Sequence, residues 1–184
     1  MKRQQKQFIG LLLVLVLCIV AYFVVKNYAK KEQEKENETK DPVTVAEINI
    51  DQVDAFSYDY EGTTYSYQKS GDGWVCENDT SIALDTGSIR DLLGNLEKIT
   101  AEETLNEYDQ LSDYGLDEPQ KTITVTCGED TMVLSIGDYN EMLSEYYLEM
   151  KDDDSVYLIG SAIPTAFEKH PDDLAETETE TETE

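Results

Sequence analysis

The sequence predicts an α+β protein: antiparallel β-hairpins forming one or two sheets with a packed amphipathic helix, preceded by a single N-terminal transmembrane helix. Three observations predict it. An apolar run without a charge or proline occupies residues 8–25. From Ile48 onward, apolar side chains alternate with period two in short runs parted by turn dipeptides. One stretch after Asp85 spaces its apolar residues as a helix does.

The apolar run reads FIGLLLVLVLCIVAYFVV, from Phe8 to Val25. Its length is near the lower limit for spanning a bilayer, about 17 residues. A cleaved signal peptide has a shorter apolar region, about 7–15 residues, followed by small residues at the cleavage site. Here the run continues into Tyr22, Phe23 and Lys26. Lipidation of Cys18 would need small residues before it, and Leu15, Val16 and Leu17 stand there instead. A retained anchor is expected. Its direction is subject to opposing signals, because Lys2, Arg3 and Lys6 precede the run while Lys26, Lys30, Lys31, Lys35 and Lys40 follow it. Counting alone favours the reverse orientation. The charge rule weakens for long translocated domains, however, and a short basic tail is the usual cytoplasmic flank of a signal anchor. The expected organisation is a cytoplasmic tail at 1–7, the transmembrane helix at 8–25 and a charged stalk at 26–42. One α+β domain at 43–174 then lies outside the membrane, followed by a disordered acidic Glu/Thr tail at 175–184.

The net charge of -26 is unevenly spread. Beyond Lys40, six Lys/Arg face thirty-six Asp/Glu. Such a field repels phosphates and anionic headgroups, so neither nucleic acid nor an anionic membrane surface suits the domain. A solvated acidic surface accounts for most of it, and cations or a basic partner are compatible with it.

The domain opens with Phe56, Tyr58 and Tyr60 on one face of a strand and Ser57 and Asp59 on the other. Glu61-Gly62 suits a two-residue turn that pairs Tyr58 with Tyr65 and Phe56 with Tyr67. A second turn at Gly71-Asp72 returns Trp74 and Cys76 to the same face. This aromatic surface is either a ligand platform or, as expected, a sheet face covered by a helix. The covering helix is predicted over Thr86 to Ile99, with Asp85 as N-cap and Ile89, Leu92, Leu93, Leu96 and Ile99 as its apolar stripe. In LSDYGLDEP, Gly115 suits a left-handed helix-ending conformation, Leu116 packs back, and Pro119 turns the chain into a strand. Two further hairpins follow. Ile123, Val125 and Cys127 oppose Met132, Leu134 and Ile136 across a turn near Glu129-Asp130. Tyr146, Leu148 and Met150 oppose Tyr157 and Ile159 across KDDD, and Tyr147, Val156 and Leu158 make the other face apolar as well. Pro164 to Lys169 is expected to form a short closing helix.

No residue set carries chemistry by its pattern. The lone His170 rules out multi-histidine metal sites, and its position near the tail gives no support to a nucleophilic triad. With forty carboxylates, no local spacing singles out an acid/base pair. Asp152, Asp153 and Asp154 lack the alternating ligands, central glycine and closing glutamate of a calcium loop. GDG at 71–73 and CGED at 127–130 lead from strand to strand, not into a helix that could cradle phosphate. Cys76 and Cys127 could form a disulfide, but their places in apolar strands favour free thiols. Catalytic, cofactor-binding and metal residues are therefore assigned to none.

These elements, GDGW at 71–74, the helix, YGLDEP at 114–119, LSIG at 134–137, EYYLEM and SVYLIG, resemble the bacterial family known as domain of unknown function 4340. The resemblance covers Ile48 to Leu174, and its most specific part is the YGL-x-x-P turn with the following strand, IG and YY segments. It implies an extracytoplasmic module tethered by its N-terminal helix, encoded beside ABC-type transport components of the gliding-motility type. The single copy and the acidic tail depart from larger relatives. The expected function is a non-enzymatic accessory or interaction module of the cell envelope, bound to the membrane and partnered by an ABC-type transporter or other envelope proteins. The alternative is a ligand- or cation-binding envelope sensor.

Overall fold

The computed structural model describes residues 42–176. The expected tail at 1–7, span at 8–25, nearly all of the stalk and the end of the Glu/Thr tail lie outside the described residues. Among the described residues no helix is long and apolar enough to cross a membrane.

The first hairpin joins strands β2 (Ala55–Tyr60) and β3 (Thr63–Ser70) in the expected register, Tyr58 opposite Tyr65 and Phe56 opposite Tyr67. Glu61 and Gly62 both take left-handed backbone, φ 51 and 75°, the pairing a two-residue turn needs to match strand twist. Strand β4 (Gly73–Cys76) folds back across Gly71-Asp72, setting Cys76 opposite Tyr67.

Strands β7 (Lys121–Cys127), β8 (Asp130–Asn140), β9 (Glu145–Met150) and β10 (Val156–Ile159) continue the antiparallel run. With β6 (Glu103–Leu105), they complete an eight-stranded sheet of order β4-β3-β2-β7-β8-β9-β10-β6. The β7–β8 turn is Gly128-Glu129, one residue earlier than expected. Gly128 is the residue that tolerates its left-handed φ of 62°, and Cys127 thereby pairs with Asp130. Ile136 and Tyr139 still face β9, but the register shifts between them, so Gly137 and Asp138 form a bulge.

A second, two-stranded sheet pairs β1 (Val43–Glu47) with β5 (Lys98–Ala101). Neither strand is among those that the period-two alternation predicts. Strand β5 also corrects the predicted helix: α1 spans Thr86–Gly94, and Ile99 lies in a strand. After Gly94 the turns tighten, Leu96 N–H donating to Leu93 O and the Asn95 side chain to Asp91 O and Leu92 O. Ile99-Thr100 is then β-branched and pairs with β1. Leu96 and Ile99 are nevertheless fully buried. The helical stripe named the right core residues on the wrong backbone. The N-cap holds as expected, Asp85 accepting from Gly87 N, Ser88 N and Ser88 Oγ. The closing helix is α2, Ala162–Ala166, two residues earlier than expected, because Pro164 fits a first turn where its missing N–H costs no bond.

Phe56, Tyr58 and Tyr67 from the first hairpin, Ile89, Leu92 and Leu93 from α1, and Phe167 after α2 share one core with the inner faces of β7 to β10. Leu116, Val156 and Leu158 are also buried but stand outside that cluster, on the opposite face of the sheet. Tyr114, from the turn that carries Leu116, reaches Tyr147 there, ring centroids 4.7 Å apart. Strand β10 is thus buried on both faces, as its continuous apolar pattern predicts.

Candidate functional site

The aromatic face is core. Phe56 and Tyr67 stack at 4.6 Å, Phe167 meets Tyr58 edge-on at 5.4 Å, and Tyr58 and Tyr67 are buried. Tyr58 OH donates to Lys169 O (3.1 Å), so Tyr67 OH donates to Tyr58 OH (2.9 Å). Burial pushes the Tyr58 hydroxyl up to about 12, and raises Tyr67 further because it is the donor of the pair.

The remaining features singled out in the sequence are occupied locally. At the β9–β10 turn, Asp153 accepts from Tyr157 OH (2.6 Å) and Ser155 N–H (3.0 Å), and the tyrosine hydroxyl holds its carboxyl below the usual range. Asp152 supplies that turn with left-handed backbone. His170 lies 3.1 Å from Asp172 and edge-on to Tyr65. Cys76 and Cys127 are both free thiols, Cys76 buried and Cys127 half-buried. No group of three His, Cys, Asp or Glu is placed to hold a metal among the described residues.

Lys121 is the buried charged residue among those described, 8 % exposed at the start of β7. Its ammonium donates to Pro164 O and stands 3.8 Å from Glu168, and burial lowers its pKa. It lies in a shallow cleft of about 210 Å³ that also includes Asp59, Tyr60 and Gln120. Its bonds tie α2 to the sheet, a structural task that sequence pattern did not single out.

The YGL and IG segments meet. A Cβ on Gly137 would lie 2.2 Å from Tyr114 O, and one on Gly115 would lie 2.6 Å from the Asp138 carboxyl carbon. Gly115 has φ 66° and closes the 3-10 turn Leu111–Tyr114, as expected. The two glycines let the turn sit against the β8 bulge and bring Leu116 onto the back of the sheet. This motif is a packing clasp.

The most exposed large apolar side chain among the described residues lies elsewhere. At the end of the β8–β9 hairpin, Met142 is 92 % exposed, with Leu143 at 49 % and Tyr139 at 44 %. Asn140 fixes this loop. Its side-chain oxygen accepts from Met142 N and Leu143 N, its backbone oxygen accepts from Ser144 N, and its amide donates to Tyr147 OH at 2.7 Å. Ser144 takes φ 61° to rejoin β9, and Tyr139 and Tyr146 pack at 4.9 Å beneath. Below the loop, burial and the neighbouring Glu102 and Glu103 raise the Glu145 carboxyl, and burial raises Glu149. Pattern reasoning passed over this loop because an exposed Met-Leu pair between two strands breaks no periodicity.

Fold and surface together define an antiparallel α+β domain that exposes a hydrogen-bonded apolar hairpin end. Residues 74–181 match the family described as Domain of unknown function (DUF4340), and the chain belongs to this family. The match begins at Trp74, in β4, so it is narrower at its start than the resemblance read from Ile48. No curated protein and no solved structure matches the chain.

Proposed function

We propose that the protein is a membrane-tethered, extracytoplasmic accessory or interaction module of the cell envelope that works without catalysis, in association with an ABC-type transport system. The observation that carries the interaction role is the β8–β9 hairpin end, where a hydrogen-bonded loop holds Met142 and Leu143 in water. Covering these side chains removes apolar surface from water, which favours association at this loop. The apolar run at 8–25 supports the tether, and the resemblance read from the motifs supports the transport setting.

The test is mild crosslinking of the full chain in native membranes, followed by detergent extraction and affinity capture. An ABC-type or other envelope component is expected to be recovered with it, and recovery of the chain alone overturns the interaction role. Protease added to intact cells is expected to digest the domain, whereas protection until the membrane is broken overturns the outward placement.

A further inference from the structure

Between Lys121 and Lys151 the chain contains no Lys or Arg. The β8–β9 hairpin therefore carries Asp130, Asp138, Glu141, Glu145 and Glu149 with no cation among them. Three of the four exposed large hydrophobics among the described residues, Tyr139, Met142 and Leu143, gather at its end. The result is an apolar tip on an anionic stem.

We infer that this tip inserts into an apolar pocket of a second protein whose rim carries Lys or Arg. The inference rests on the interaction-module reading and specifies its partner. Asn140 already holds the loop, so docking orders little additional backbone. Met142 adds a flexible, polarizable side chain that fits pockets of irregular shape. The stem determines which occupant is accepted. Anionic headgroups would meet Glu141 and Asp138 as soon as the tip reached the bilayer surface. A second copy would bring an identical anionic hairpin against this one. A basic-rimmed protein pocket both covers the tip and complements the stem.

The test places a photo-crosslinking residue at Met142 in the full chain in native membranes, with Asp72 in the β3–β4 turn as the comparison position. The expected result is an adduct from position 142, absent from position 72, to a different protein at an apolar segment flanked by Lys or Arg. Its yield falls several-fold with Glu141→Lys. A Met142→Ser/Leu143→Ser variant is expected to lose partner recovery and keep the parent's thermal midpoint. An adduct to phospholipid, an adduct to a second copy, or a yield unchanged by Glu141→Lys overturns the inference. If affinity capture recovers a partner and position 142 gives no adduct, this docking site falls while the interaction role stands. If capture also recovers nothing, both fall.

Discussion

Gly137 and Gly115 show how much of this domain rests on two missing side chains. Because a Cβ at Gly137 would strike the Tyr114 carbonyl at 2.2 Å, backbone against backbone, no rotamer change relieves it. Gly137→Ala is expected to lower stability by about 1–3 kcal/mol, read by urea unfolding of the detergent-solubilised chain through the fluorescence of its single Trp74. Gly94→Ala, at a helical position with open space around it, is expected to move the same midpoint the other way, by about 0.5–1 kcal/mol. The buried tyrosines make a prediction about pH. In the folded chain Tyr58 keeps its proton up to about 12, against 10.0 for a free tyrosine. Between those values the folded state binds more protons than the unfolded state, so this stabilisation is intact below the unfolded pKa and is lost as pH rises toward the folded one. Tyrosinate absorbance is expected to show Tyr58 and Tyr67 ionising only with alkaline unfolding, and normal ionisation of all twelve tyrosines in the folded chain would refute it. At this scale the sequence was legible where alternation dictates a face. The pairs Phe56–Tyr67 and Tyr58–Tyr65 follow from parity and one Glu-Gly turn. The Gly137 contact was not, because nothing in a period-two pattern marks where a distant backbone will press against a strand.

Among the elements, hairpins were the most legible and short unpaired-looking segments the least. Strands β1, β5 and β6 have three to five residues, and each is stabilised by a partner far along the chain rather than by its own pattern. Ala101 and Glu103 belong to different sheets, with Glu102 N–H bridging to Leu158 O, an arrangement no local rule implies. Helix α1 was overextended because the same side chains satisfy a helical stripe and a turn followed by a strand. Its beginning was readable because Asp85 caps it with three bonds. The Ser88 bonds hold the Asp85 carboxyl below its ordinary value. The capping stabilisation is therefore present above the unfolded carboxyl pKa and lost as pH falls through the folded one. Asp85→Ala is expected to unfold at lower urea concentration than the parent near neutrality, and the gap is expected to close in strong acid. A gap that persists there would show that the cap acts other than through its charge.

For the whole molecule, the family match and the folding unit differ in extent. Residues 74–181 omit β1, β2 and β3. Without β2, strand β7 loses the neighbour that pairs Ile123 to Thr126, and a central strand becomes an open edge. A fragment limited to 74–181 is expected to aggregate, while one beginning at residue 42 elutes as a folded species in gel filtration. Charge acts at this scale too. With six cationic side chains against thirty-six carboxylates beyond Lys40, raising ionic strength from about 10 mM to about 150 mM is expected to raise the thermal midpoint of the domain by screening its self-repulsion. The Tyr58 to Lys169 hydrogen bond, spanning 111 positions, sets a timetable. At roughly 5–20 residues per second of synthesis, the first hairpin waits on the order of ten seconds for the segment that covers it. Throughout that interval Tyr58 lacks both its Lys169 acceptor and the Phe167 ring, so the aromatic face of this hairpin stays incompletely covered on the nascent chain and open to a holding chaperone.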